Sequence, residues 1–327
     1  MGLMKHAVID MGSNTIRLIV FEVDGTAPFA ASPRIAVNKK AMAGLASYVV
    51  DGVLGDEGID RAVKILGKHV AAAQIAGAAS ISVFSTAILR NIDNSDDARH
   101  RIEERAGLSI DLLSGEDEAR LGYRGCCGQI GPGNWLAVDV GGGSTELSAL
   151  RAGLLCGQSQ PLDLIADLSV ASVPFGSLKM FMHYVSEVLP TKTEAKVIRD
   201  FMAERASATD VLRNRSFPQV IGLGGTARSS VKLVHALFET DGDALVATRA
   251  QLEELVALPT LDFRRVLLGI VRLCPDRVHT VLVGLAMLLG IMDVAGAETL
   301  RVCKQGIREG YLLERVLKGQ VGKGQVG

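Results

Sequence analysis

The sequence predicts an α/β protein built of two similar domains that face one another. Three observations carry this reading. The chain has 327 residues, enough for two substantial cores. Short β-branched apolar runs alternate with longer segments of helical period. One unit, a strand entering a polar turn and leaving as a strand, also occurs twice. Asp10-Met-Gly-Ser-Asn-Thr-Ile-Arg-Leu18 aligns without a gap on Asp139-Val-Gly-Gly-Gly-Ser-Thr-Glu-Leu147, and Asp, Gly and Leu are shared.

In the first copy, Ala7–Asp10 is a short apolar strand and Asp10–Asn14 a turn whose Ser13 and Asn14 offer polar donors. Thr15–Val23 is β-branched and apolar on both faces after Arg17, as in a well-covered strand. Strand–turn–strand excludes a P-loop and a Rossmann fingerprint, both of which open a helix. Lys39–Val53 is weakly patterned and reads as a loop near the cleft, Asp56–Ala76 as a helix, and Ser80–Ser85 as a strand. Arg90 follows that strand, where a helix start would present it to an anion; a plain surface arginine is the alternative. Asp96–Arg105 is a charged helix and Ile110–Leu113 a strand. Ser114 and Asp117 then form a capping-box pattern that starts another helix. The acids Glu116, Asp117 and Glu118 suit the positive end of that helix. One of them, not singled out by the pattern, is a candidate general base.

The second copy is the richer. Three glycines in a row mark a tight turn or close backbone approach, and bare N–H groups there form an anion nest. Gly142, Gly143, Ser144 and Thr145 are candidate phosphate donors, with Asp139 and Glu146 as carboxylates at the rims. Phosphate donors beside hard oxygen ligands point to a phosphate–Mg²⁺ site; a glycine-rich hairpin with solvated acids is the competing reading. Further on, Arg151–Ile165 continues the second domain, Val173–Gly176 is a turn, and Thr193–Leu212 is helical. Gln219–Gly222 is a strand entering a third glycine turn, Gly224-Gly225-Thr226, ahead of a helix over Ala227–Leu237. Leu252–Leu255 and Phe263–Leu268 read as separate helices, Thr280–Met292 as a buried helix, Thr299–Cys303 as a strand and Tyr311–Leu317 as the last helix. The Gly-rich tail from Lys318 is expected to be disordered.

Composition narrows the classes. Aromatic residues make up only 4%, which argues against base-stacking platforms, and a net charge of −1 gives no field to gather a polyanion, so nucleic acid is not an expected partner. The odd set Cys126, Cys127, Cys156, Cys274 and Cys303 has no C-x-x-C spacing and fits reduced thiols in the cytoplasm. The longest apolar run is too short to span a bilayer, so no membrane association is expected. The histidines are scattered, without a Ser-His-Asp constellation.

Taken together, Ile9–Asn14, Ser85–Arg90, Ser114–Ala119, Asp139–Leu147, Gly224–Ala227 and Gly306–Gly310 resemble, in order and almost end to end, the exopolyphosphatase/guanosine pentaphosphate phosphatase family. That family lies within the actin-like, sugar-kinase and heat-shock ATPase superfamily. The resemblance implies two ribonuclease-H-like domains around a cleft, residues 1–125 with the C-terminal helix 308–327 and residues 126–307, in the short two-domain form. It implies Glu118 as catalytic base, Arg90 as a phosphate contact, and Glu146 near the attacking water. Ser13, Asn14, Gly142, Gly143, Ser144, Thr145, Gly224, Gly225, Thr226 and Arg308 would bind phosphate. Asp10, Asp139 and Glu146 would hold Mg²⁺ or another divalent cation. The expected activity is removal of the terminal phosphate of inorganic polyphosphate. Guanosine pentaphosphate hydrolysis is the first alternative, followed by a kinase of the superfamily and a non-catalytic polyphosphate or alarmone sensor. A homodimer is implied by the resemblance alone. The chain departs from the family pattern at Lys40–Gly44, His279 and Cys303.

Overall fold

The computed structural model describes residues 3–24, 33–130, 133–150 and 168–317. Cys156, the whole of Arg151–Ile165 and the tail from Lys318 lie outside the described residues. The chain divides into two compact units, Met1–Leu121 with Ile307–Gly327, and Gly122–Gly306.

The first unit is organised on strands β1 (Leu3–Met11), β2 (Thr15–Asp24) and β3 (Arg34–Met42). A short ladder, β4 (Val49–Val50) with β5 (Val53–Leu54), precedes helix α1 (Asp56–Ile75). Strand β6 (Ser80–Ser85), the single turn α2 (Ala87–Arg90), α3 (Ser95–Ala106), β7 (Ile110–Leu112) and α4 (Gly115–Cys126) follow. The sheet order is β3-β2-β1-β6-β7, antiparallel through β1–β3 and parallel through β1, β6 and β7.

Alternation along the strands divides the core of this unit between two faces. Ala7, Ile9 and Met11 pack with Ile16, Leu18, Ile59 and Leu66 on one side. Val8, Ile19, Phe21 and Phe84 pack with Tyr311 and Leu312 on the other.

Lys39–Val53 is not a loop. Its first residues complete β3, paired to β2 with Arg17 opposite Lys40. The strand was hidden because it is an edge, exposed over most of its length, and so lacks the apolar alternation that betrays a half-buried strand.

The second unit repeats the scheme. It comprises β8 (Trp135–Val140), β9 (Thr145–Leu150), β10 (Leu168–Val173), α5 (Ser177–Tyr184), α6 (Lys192–Ser207), β11 (Gln219–Leu223), α7 (Gly224–Phe238), β12 (Val246–Thr248), α8 (Arg249–Leu273), α9 (Val281–Ala295) and β13 (Thr299–Val302). The order β10-β9-β8-β11-β13-β12 again sets an antiparallel meander beside parallel strands. The internal sequence repeat is therefore a repeat of sheet topology.

Residues Val281–Met292 of α9 are buried throughout, which explains a helix apolar on every side. α6 stops at Ser207, short of Leu212, where Thr209 turns its hydroxyl onto the Ala206 carbonyl at 2.7 Å. The two expected helices at Leu252 and Phe263 are one helical run, α8, with Pro259 inside it and non-helical angles at Asp262. The chain ends in the first unit with α10 (Ile307–Tyr311), which continues as a π-helix over Leu312–Leu317. A Cβ on Gly310 would lie 1.9 Å from the Leu121 carbonyl oxygen, so α10 meets α4 backbone to backbone.

Two buried histidines couple the first unit to pH. His69 on α1 bonds the Ile16 carbonyl at 3.1 Å, and His6 on β1 bonds Ser80 Oγ at 2.8 Å. Burial lowers both from their ordinary value of 6.5. A depressed histidine pKa means the unfolded chain takes up protons first as pH falls. The contribution of the two residues is therefore complete above 6.5 and is lost as pH drops below it. Urea midpoints should fall between about pH 7.5 and about pH 5.5, and a His6→Gln/His69→Gln variant should show a flatter dependence.

Candidate active site

In the first unit, β6 ends in Ser85, and α2 brings Arg90 round toward the start of α4. Arg90 Nη1 donates to the Leu113 carbonyl at 2.8 Å and to Glu118 Oε1 in a short contact. No other guanidinium N–H of Arg90 is hydrogen-bonded among the described residues, which leaves donors for a ligand.

The three acids of α4 now separate. Glu116 is exposed. Asp117 is engaged in structure. Its N–H donates to Ser114 Oγ at 3.0 Å, its carboxylate accepts the Ser114 hydroxyl at 2.9 Å, and it pairs with Arg315 at 3.2 Å. The capping box thus closes on the Ser114 hydroxyl. Glu118, one residue on, is only 8% exposed and is held by Arg90.

The turn between β1 and β2 is anchored from behind. Ala43 and Gly44 N–H groups donate to the Asn14 carbonyl at 2.9 Å, and Ala46 N–H donates to the Ser13 carbonyl at 3.0 Å. Arg61 of α1 in turn holds the carbonyls of Ala43 and Met42 at 2.6 and 2.8 Å. The Lys40–Gly44 segment is thus part of the scaffold of the Ser13–Asn14 turn. Asp10 stands in register with Arg17, and Arg17 with Lys40, so the three share one face of the sheet. Arg308 lies 3.7 Å from Asp10, and its Nε–H is buried without a hydrogen-bond partner among the described residues.

In the second unit, Asp139 and Glu146 are direct neighbours across the β8–β9 ladder. Glu146 is buried and accepts from Ser172 Oγ at 3.0 Å. Two adjacent carboxylates repel unless a cation lies by them, and their hard oxygens suit Mg²⁺. Asp10 belongs to the first unit, and among the described residues no group of three acidic, His or Cys side chains forms a metal cluster.

The Gly141–Ser144 turn closes with Gly141 N–H on the Ser144 carbonyl at 3.0 Å. Thr145 and Thr226 turn their hydroxyls inward, to the carbonyls of Phe175 and Val140, each at 2.8 Å. Gly224 adopts φ +70, and a Cβ there would lie 2.1 Å from Asp139 Oδ1, so this turn is pressed against the carboxylate. Arg277 lies over Gly225, where a Cβ would come 1.9 Å from its Nη2. The sequence alone does not point to Arg277, which tertiary folding brings over Gly225, or to the Asp10–Arg17–Lys40 row, which strand register sets on one face. His279 packs on Phe181, and Cys303 Sγ donates to Gln129 Oε1 at 3.1 Å.

The model of the Ppx/GppA phosphatase family matches residues 30–319, nearly the whole chain. The chain belongs to the Ppx/GppA phosphatase family. It is accordingly an enzyme, a phosphoanhydride hydrolase. Similar Ppx/GppA relatives include Exopolyphosphatase 1 of Mycobacterium bovis, 25% identical over 96% of this chain and 88% of that protein. Exopolyphosphatase 1 of Mycobacterium leprae is 26% identical over 96% and 90%. Among solved structures, the Aquifex aeolicus Ppx/GppA family member superposes with a TM-score of 0.71 at 21% identity, covering 97% of this chain and 99% of that one. An exopolyphosphatase from Cytophaga hutchinsonii gives 0.76 at 19% identity, covering 96% and 98%. The fold is therefore that of the Ppx/GppA enzymes, the actin-like ATPase type.

Proposed function

We propose that this protein is an exopolyphosphatase that releases the terminal phosphate of inorganic polyphosphate by attack of a water that Glu118 activates. The observation that carries this reading is the placement of Glu118: of the three acids in the first turn of α4, it alone is buried and held by an arginine. The exopolyphosphatase names of the curated relatives, matched over nearly their whole length, support the substrate.

Phosphoryl transfer asks little covalent work of a protein. It needs a positioned nucleophile and donors on the moving group. In this reading the Glu118 carboxylate takes the water proton as the water oxygen bonds to the terminal phosphorus. The bridging P–O bond breaks, and the shortened chain leaves with that oxygen. The N–H groups of Gly142 and Gly143, with the donors left on Arg90, hold the oxygens of the moving group. The buried Nε–H of Arg308, costly while unsatisfied, would be relieved by a phosphate oxygen. Asp139 and Glu146 would hold Mg²⁺, which supplies neutralisation of phosphate charge when bound. Asp10 is the third acid assigned to the metal. Cysteine usage supports action in the cytoplasm.

The test is phosphate release from long-chain polyphosphate by the purified protein. Release should require Mg²⁺, cease on addition of EDTA and return on adding Mg²⁺ in excess. Polyphosphate binding without release would replace the enzyme reading by the sensor.

A further inference from the structure

Helix α5 begins against the glycine loop. Its first N–H groups, those of Ser177, Leu178 and Lys179, donate to the carbonyls of Gly141, Gly142 and Gly142 at 2.8, 3.1 and 3.2 Å. The Ser177 hydroxyl adds a bond to the Gly141 carbonyl at 3.0 Å. These are the donors that a helix start leaves without an intrahelical partner. A trans peptide points its C=O and its N–H in opposite directions, and the described chain has no cis peptide. The Gly141 carbonyl shares a peptide with the Gly142 N–H, and the Gly142 carbonyl with the Gly143 N–H. Anchoring both carbonyls on α5 therefore turns both N–H groups away from it. Neither N–H makes a hydrogen bond among the described residues.

Gly176, just before α5, makes this approach feasible. Its φ of −128 and ψ of 171 are open to any residue. Yet a Cβ there would lie 2.4 Å from Gly142 C, 2.5 Å from Gly143 N and 2.6 Å from Gly142 O. The demand for glycine comes from the backbone of the loop, not from local strain.

We propose that Gly176, with the first turn of α5, is a positioning element that sets the direction of the Gly142 and Gly143 N–H groups. This rests on the reading of that loop as the holder of the transferred phosphoryl group. A methyl group at position 176 would push the loop while leaving the conformation of residue 176 itself allowed.

The experiment compares wild type, Gly176→Ala, Ser177→Ala and, as a control on the exposed side of α5, Met182→Ala, with polyphosphate as substrate. For Gly176→Ala we expect kcat to fall about 100-fold with KM within about threefold, since displacement of a site group by roughly an ångström costs on that order. Ser177→Ala, which removes one of the four anchoring bonds, should lose about threefold, and Met182→Ala should match wild type. A merely structural role would lower the melting temperature and leave kcat of the folded fraction intact. Wild-type kcat in folded Gly176→Ala would overturn the proposal. If circular dichroism shows that variant unfolded, an unchanged kcat in Ser177→Ala would overturn it instead. Failure of wild type to release phosphate from either polyphosphate or guanosine pentaphosphate would strike the underlying reading of the loop.

Discussion

Glu118→Gln should reduce kcat for polyphosphate by about 10³-fold while leaving the fold and KM almost unchanged, within the range that loss of a general base produces. The substitution is nearly isosteric. Its amide oxygen can still accept from the Arg90 guanidinium, so the pair keeps a hydrogen bond, and the carboxylate's charge and basicity are lost. The neighbouring acids provide the contrast. Glu116→Gln, at an exposed position, should behave as wild type. Asp117→Asn weakens the contacts with Ser114 and Arg315 and should cost about 1 kcal/mol of stability at most, with kcat retained. Steady-state phosphate release and thermal melts on the three variants check this. Equal losses in all three would remove the reason for singling out Glu118.

Arg90→Met should be damaged twice. It removes donors proposed to contact phosphate, which should lower kcat by about 100-fold. It also takes the Arg90 cation away from the Glu118 carboxylate, which is 8% exposed. Breaking such a pair from one side costs about 3 kcal/mol. The double variant Arg90→Met/Glu118→Gln should regain most of that stability, because a neutral amide is far cheaper to bury than a charge, while staying inactive. Arg90→Lys should recover the charge, and with it much of the stability, because both present bonds leave a single nitrogen, Nη1. It should not recover the activity, since lysine lacks the further guanidinium N–H donors proposed to contact phosphate. Chemical denaturation of wild type, Arg90→Met, Glu118→Gln and the double variant gives the coupling directly. Additive stability losses would show that the pair carries no such burden.

The parts of the fold written into local chemistry were legible in the sequence. β-branched runs and the Asp10 and Asp139 turns announced two similar strand–turn–strand units, and the sheets repeat accordingly. The wholly apolar Val281–Met292 run announced its own burial. What stayed hidden depends on partners distant in the chain. Glu116, Asp117 and Glu118 all satisfy the same helix-start rules. What separates them, the burial of Glu118 against Arg90 and the pairing of Asp117 with Arg315, comes from distant parts of the chain. Edge strand β3 has little buried face to pattern, so the Arg17–Lys40 row could not be read. Leu252–Leu255 and Phe263–Leu268 read as separate helices, but they belong to one helical run that continues past Pro259 with a break in angles at Asp262. Gly176 looked like an ordinary turn glycine, and its reason lies in the backbone of Gly142 and Gly143.

The most direct test of the central claim measures phosphate release from long-chain polyphosphate and from guanosine pentaphosphate side by side, in Mg²⁺, with the wild-type protein. The account predicts release from both kinds of phosphoanhydride at most modestly for the guanine nucleotide, with the higher kcat/KM for polyphosphate. Release confined to guanosine pentaphosphate, or from neither substrate, would contradict it.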